Sequence, residues 1–213
     1  MKKLFISIIS LFSLTGCSLF GIRNEETPQY EILVKNKNLE IRQYAPYIVA
    51  TTYVDGSFEE SQKKSFRILA NYIFGDNEKK VNISMTSPVV ISSEKNKSVK
   101  IAMTAPVTQN PVGPGWEMSF MMPSKFKNIE DLPQPKDSRI SFKVIESKSI
   151  AVITFSGFWS KEKNQKMADQ LKTWILEQGE YTPISEPKFA GYDPPWTIPL
   201  FRRNEMMIDI IKR

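Results

Sequence analysis

A strand, a glycine and an amphipathic helix occur twice in this chain, about 100 residues apart, and that repeat limits the fold more than any other feature. The first copy is the β-branched and aromatic run Tyr47–Val54, then Asp55-Gly56-Ser57, then a helical pattern over Phe58–Phe74. The second is Ile150–Phe155, then Ser156-Gly157-Phe158-Trp159-Ser160, then a helical pattern over Lys161–Gln178. Apolar residues recur at i, i+3, i+4 and i+7 in the first helix (Phe66, Leu69, Ala70, Ile73), and Ala168, Leu171 and Ile175 mark one face of the second. Ser57 with Glu60 forms a capping-box pattern. A repeat of this length points to a duplicated half-domain and not to a solenoid.

Strand material follows each helix. Val81–Val89 and Lys100–Val107 echo each other across a polar stretch, Ser92–Ser98, and read as a long hairpin. Trp116–Pro123 alternates with period two. After the second helix come Pro187–Asp193, a Pro-rich turn at Pro194-Pro195-Trp196, and a closing strand over Arg203–Ile211. Leu132–Asp137 joins the halves. The expected class is α+β, with antiparallel strands in two similar halves and one helix packed on each.

Composition narrows the function. The chain has 213 residues, 41% of them hydrophobic and 24% charged, within the range of ordinary folded proteins. Its net charge of +6 is scattered, with no basic run or basic–aromatic helix face, so a nucleic-acid partner is not expected. Histidine is absent, which removes His-based triads, His zinc sites and the usual imidazole ligand to heme iron. One cysteine allows no intrachain disulfide and no Cys-rich metal site.

That cysteine has a place of its own. Met1-Lys2-Lys3 is a short positive segment, and Leu4–Leu14 is an apolar run of eleven residues, too short for a membrane-spanning helix of about 20. Leu14-Thr15-Gly16-Cys17 then resembles a bacterial lipobox, whose cysteine is acylated and becomes the first residue of the mature protein. The other reading is a secretory signal with a chance cysteine. The expected layout is a lipoprotein signal peptide over 1–16, a lipidated tether over 17–27 and one domain over 28–213. Loss of Lys2 and Lys3 leaves the mature chain at +4. Ser18 at its second position is not the Asp that retains such proteins at the inner membrane, which favours the outer membrane, facing the periplasm.

Several motifs occur in a fixed order: Tyr30-Glu31-Ile32, Glu40-Ile41-Arg42-Gln43-Tyr44, Met103-Thr104-Ala105-Pro106-Val107, Trp116–Pro123, Gly191–Thr197 and Arg202-Arg203-Asn204-Glu205. Together they resemble the SOUL heme-binding protein family, from about Gln29 to Ile211. The resemblance implies a twisted barrel of two antiparallel four-stranded sheets flanked by two helices. It also implies binding of heme or another tetrapyrrole, in a fold akin to bacterial domains that bind bulky drug-like cations. Matched residue by residue, the family's groove falls on Lys63, Phe66 and Ala70 of the first helix, on Val90 and Ile91, and on Tyr192. Arg67, one turn after Lys63, joins Lys63 as a candidate for propionate groups. With no histidine for iron, Tyr, Met or no axial ligand remain open.

Each motif also has a structural reading. The repeated Met-Thr-(Ser/Ala)-Pro-Val suits a strand end, Gly191–Trp196 a turn, and Arg202, Arg203 and Glu205 an internal ion-pair cluster. No catalytic constellation is present in the sequence, so the expected function is a membrane-anchored, non-enzymatic binding protein for a tetrapyrrole or other flat hydrophobic molecule. The alternatives are a carrier or sensor of another bulky hydrophobic ligand, or an envelope protein-interaction lipoprotein. If Cys17 carries the anchor, wild-type protein takes up labelled palmitate and Cys17→Ser takes up none; label retained by the variant contradicts the address.

Overall fold

The computed structural model describes residues 25–92, 115–158, 160–194 and 196–213. Cys17 and its leader, the arm holding Met103–Val107, Trp159 and Pro195 lie outside the described residues. The first half runs β1 (Tyr30–Asn36), β2 (Leu39–Tyr44), β3 (Tyr47–Asp55), α1 (Phe58–Ile73), β4 (Val89–Ser92) and β5 (Gly115–Met121). The second runs β6 (Ser141–Ile145), β7 (Lys148–Phe155), α2 (Lys161–Gln178), β8 (Tyr181–Pro183), β9 (Lys188–Gly191) and β10 (Asn204–Lys212).

The repeat unit forms as its residues require. Gly56 and Gly157 both have positive φ, 125° and 97°, where a side chain is strained. Each glycine turns a strand into a helix capped by a serine: Ser57 Oγ accepts the Glu60 N–H, and Ser160 Oγ accepts the Lys163 N–H at 3.2 Å. In α1 the buried stripe is Ile68, Leu69, Tyr72 and Ile73, while Phe66 sits at its edge and is 42% exposed. In α2 the expected Ala168, Leu171 and Ile175 are buried, joined by Trp174.

The sheet differs from the expectation in one respect. The strands form one ten-stranded antiparallel sheet in the order β1-β2-β7-β10-β9-β4-β5-β3-β6, with β8 also on β10. Two separate four-stranded sheets would each leave an edge at β4 and β9. Pairing Val89 with Gly191 and Ile91 with Phe189 satisfies those edges and fuses the halves. The halves also exchange their leading strands: β2 pairs with β7, and β6 pairs with β3. Their crossover turns touch, since Ser147 Oγ donates to the Tyr44 carbonyl at 2.9 Å. Each helix packs on its own half, α1 on β3 and β5 and α2 on β7, β8 and β10.

Two further elements depart from the sequence reading. Strand β4 covers only Val89–Ser92, because the chain before it is pinned to the end of α1. Asn77 Nδ2 donates to the Tyr72 and Val81 carbonyls, and Ile83 N–H donates to the Ile73 carbonyl. Contacts also reach ahead of residue 28. Glu26 bridges to Thr86, and its carboxylate accepts the Ser124 N–H at 2.9 Å.

Alternation along the curled sheet separates two cores. On the helix-covered convex side, Ile41, Ala50, Met118, Phe120, Ile153 and Ile208 pack against α1 and α2. On the concave side, Tyr44, Ile150, Val152, Ala190, Tyr192 and Met207 form a smaller cluster. Leu171→Ala empties a fully buried site and should cost about 2–5 kcal/mol in chemical denaturation. Leu176→Ala, at a position 59% exposed on the same helix, should change stability by under about 0.5 kcal/mol.

Candidate functional site

The convex candidate is the outer edge of α1. Lys63, Phe66 and Arg67 are exposed there, and Ala70 lies one turn beyond Phe66, against the sheet. The Phe66 ring meets Phe120 edge-on at 5.5 Å, and at the start of the helix Phe58 meets Trp116 edge-on at 4.8 Å. Phe120 pairs with Val89, and the adjacent Ile91 pairs with Met118, so Ile91 is buried beneath the same helix. The result is an aromatic edge on a rigid helix, with two cations beside it.

Of the seven residues expected at a ligand site, five therefore share this side: Lys63, Phe66, Arg67, Ala70 and Ile91. Val90 and Tyr192 do not join them. Both line the concave cavity, because strand alternation sends Val90 opposite to Val89 and Ile91. Val89, Phe58, Trp116 and Phe120 are not among the seven expected site residues, although the period-two pattern of Trp116–Pro123 puts Trp116 and Phe120 on one face.

The motif residues of the concave side are held in a buried ion-pair network. Glu205, fully buried on β10, accepts both Arg42 guanidinium nitrogens Nη1 and Nη2 at 3.1 Å. Arg203 Nη2 donates to it at 2.6 Å and the Tyr192 hydroxyl at 2.6 Å. Arg42 also donates to Glu40 at 2.7 Å and to the Tyr44 hydroxyl at 3.0 Å, and its charge lies 4.4 Å from the centre of the Tyr30 ring. Arg203 and Glu205 are thus the internal ion pair expected from the sequence. Arg202 turns away, donating to the Thr197 carbonyl and stacking over Phe158. Tyr192 is buried, its hydroxyl bonded to Glu205 and its ring covered by Arg203 at 4.2 Å.

Burial alone would push the Glu205 carboxyl up, but Arg42, Arg203 and Tyr192 outweigh it and hold the group below the usual glutamate value. Burial followed by the Glu205 charge keeps the Tyr192 phenol well above its ordinary range, so it donates as a neutral group. What remains of the concave side is a cavity of about 70 Å³. A second one, of about 200 Å³, lies between residues 26–29, 45–48 and 121–127. Sites for drug-sized ligands run to about 300–1,000 Å³, so neither encloses a porphyrin plate.

Glu205→Ala removes the carboxylate that Arg42 and Arg203 share, leaving Arg42 with the carboxylate of Glu40 alone, and should cost about 3–5 kcal/mol in denaturant unfolding. Because the folded-state value of Glu205 is depressed, its contribution is complete above pH 4.5 or so and is lost as pH falls through the folded value. Glu205→Gln should therefore be less stable than wild type near neutrality and lose less on acidification from pH 5 to 3. Parallel acid profiles of the two would contradict this.

The chain is similar to several known proteins. The family model described as SOUL heme-binding protein matches residues 25–98 and 91–209. Heme-binding protein 1 of Xenopus tropicalis is 27% identical over 201 residues, spanning 92% of this chain and 97% of its own. Heme-binding protein 2 of Mus musculus is 29% identical over 172 residues, spanning 79% and 76%. Among solved structures, the EcmrR C-terminal domain shares the fold with a TM-score of 0.57 at 14% identity, covering 86% of this chain and 99% of that one. With one family model spanning both halves of the repeat, the chain belongs to the SOUL heme-binding protein family.

Proposed function

We propose that this protein binds heme or a related tetrapyrrole on the outer edge of α1, without catalysing a reaction, as a lipoprotein anchored through Cys17 in the cell envelope. The observation that carries the reading is the exposed Phe66, seated on Phe120 and flanked by Lys63 and Arg67, in a chain whose relatives are named heme-binding proteins. A tetrapyrrole presents an apolar plate and carboxylates at its rim. The plate suits the exposed Phe66 ring, with Ala70 buried behind it, and the carboxylates suit the two cations.

The residues fit the plate better than they fit the metal. The chain has no histidine, and among the described residues no three His, Cys, Asp or Glu side chains converge. Binding in this reading rests on stacking and charge, with heme supplying whatever redox or ligand chemistry its iron brings. Val90 and Tyr192 contribute through the sheet and the ion-pair network rather than by contact. Cys17, once acylated, holds the domain near the bilayer through the tether over 17–27.

The test is hemin titration of purified variants whose fold is verified by circular dichroism. Phe66→Ala should weaken binding by tenfold or more, since a buried aromatic contact is worth a few kcal/mol. Lys63→Glu or Arg67→Glu alone should cost less, because an exposed ion pair contributes at most about 1 kcal/mol. Iron-free protoporphyrin should bind nearly as well as hemin. Unchanged binding in folded Phe66→Ala, or strict dependence on iron, would overturn the reading.

A further inference from the structure

The concave cavity holds a second charged cluster that the ion-pair network does not use. Asp209 of β10 faces two lysines, Lys148 of β7 and Lys188 of β9. Both ammonium groups bond the same carboxylate oxygen, Oδ2, at 2.6 and 2.8 Å. Side-chain exposure is 30% for Lys148, 14% for Lys188 and 14% for Asp209, so water screens the cluster only in part. Each ammonium carries three donors and spends one on Asp209.

Among the described residues, the charges around the cavity do not balance. The other pair facing it is Glu117 with Lys143, at 2.7 Å. Among the described residues, the ammonium groups of Lys143, Lys148 and Lys188 therefore meet the two carboxylates of Glu117 and Asp209 on this face. Like-charge proximity has its expected effect: burial first, and then Lys188, draw the Lys148 ammonium below its ordinary value. Tyr47 adds a neutral hydroxyl at the same wall, its value pushed up to about 12 by burial and by Asp209. The remaining lining is apolar and adaptable, with Met121, Met207, Val90 and Ile150 around a space of about 70 Å³.

We propose that this cavity is a binding site for a short-chain monocarboxylate, its carboxylate on the Lys148 and Lys188 ammonium groups and its alkyl end against Met207, Met121 and Val90. One added negative charge balances the concave face, and donors already in place bond it without rearrangement. The site is separate from the α1 edge and does not depend on tetrapyrrole binding there.

The experiment compares butyrate, butanol and butylammonium, matched in size and differing in charge, by ligand-observed NMR titration of the purified full chain. Butyrate should bind saturably and at least tenfold more tightly than butylammonium or butanol. Lys188→Met should weaken butyrate tenfold or more. Asp209→Asn removes the competing carboxylate at constant shape and should tighten butyrate severalfold. If Asp209→Asn does not fold, the Lys188→Met comparison across the three probes decides alone. No saturable butyrate binding, preference for butylammonium, or weaker butyrate binding in folded Asp209→Asn overturns the proposal.

Discussion

The pairing of Arg42 with Glu205 organises the concave side of this protein. The two residues are 163 positions apart, on β2 and β10, with β7 between their strands. Each is costly to bury alone, and the two bonds between them form only when the exchanged strand β2 is seated on the second half. Tyr192, Tyr44, Arg203 and Glu40 supply the remaining bonds, so motifs scattered through the sequence meet at one point. The arrangement ties strand order to charge satisfaction: a sheet with β2 displaced would leave Glu205 without its two bonds from Arg42.

That filling has a consequence for ligands. With guanidinium groups, phenols and two methionines packed into the curl, little of the concave face stays open, and a broad flat molecule finds no room there. The convex side is covered by helices except at their margins. At the margin of α1 an aromatic ring remains exposed, resting on a buried one, with cations a turn apart on the same surface. The two faces thus suit different chemistry, a large apolar plate outside and a small charged group inside. The helix carries the outer site on a support made rigid by Leu69, Tyr72 and Ile73, and the Tyr72 hydroxyl fastens it to the Pro133 carbonyl at 2.8 Å.

Much of this was legible from the residues. The glycine-linked repeat, both helices, the Ser57 cap and the closing strand follow from local signals, since turn chemistry and periodicity act over a few positions. The strand exchange was not legible. Tyr44-Ala45-Pro46-Tyr47 and Ile145-Glu146-Ser147-Lys148 look like ordinary short connections, and nothing local says that the strands on either side part company. The site was half legible for a related reason. Alternation divides Val89 and Ile91 from Val90, but only the packing of α1 decides which set faces the helix. The buried ion pair lay in two motifs whose residues were visible and whose partnership, across most of the chain, was not.

The account turns on which face of the sheet receives the tetrapyrrole, and the methionines report on both. Met118 lies in the core beneath α1, whereas Met121 and Met207 line the concave cavity. With methyl-labelled methionine, paramagnetic broadening by hemin, corrected with iron-free protoporphyrin, reads the distance of each from the iron. The account predicts that Met118 broadens first and that Met121 and Met207 keep their intensity at equal occupancy. Preferential broadening of Met207 and Met121 would place the plate inside the curl and contradict it.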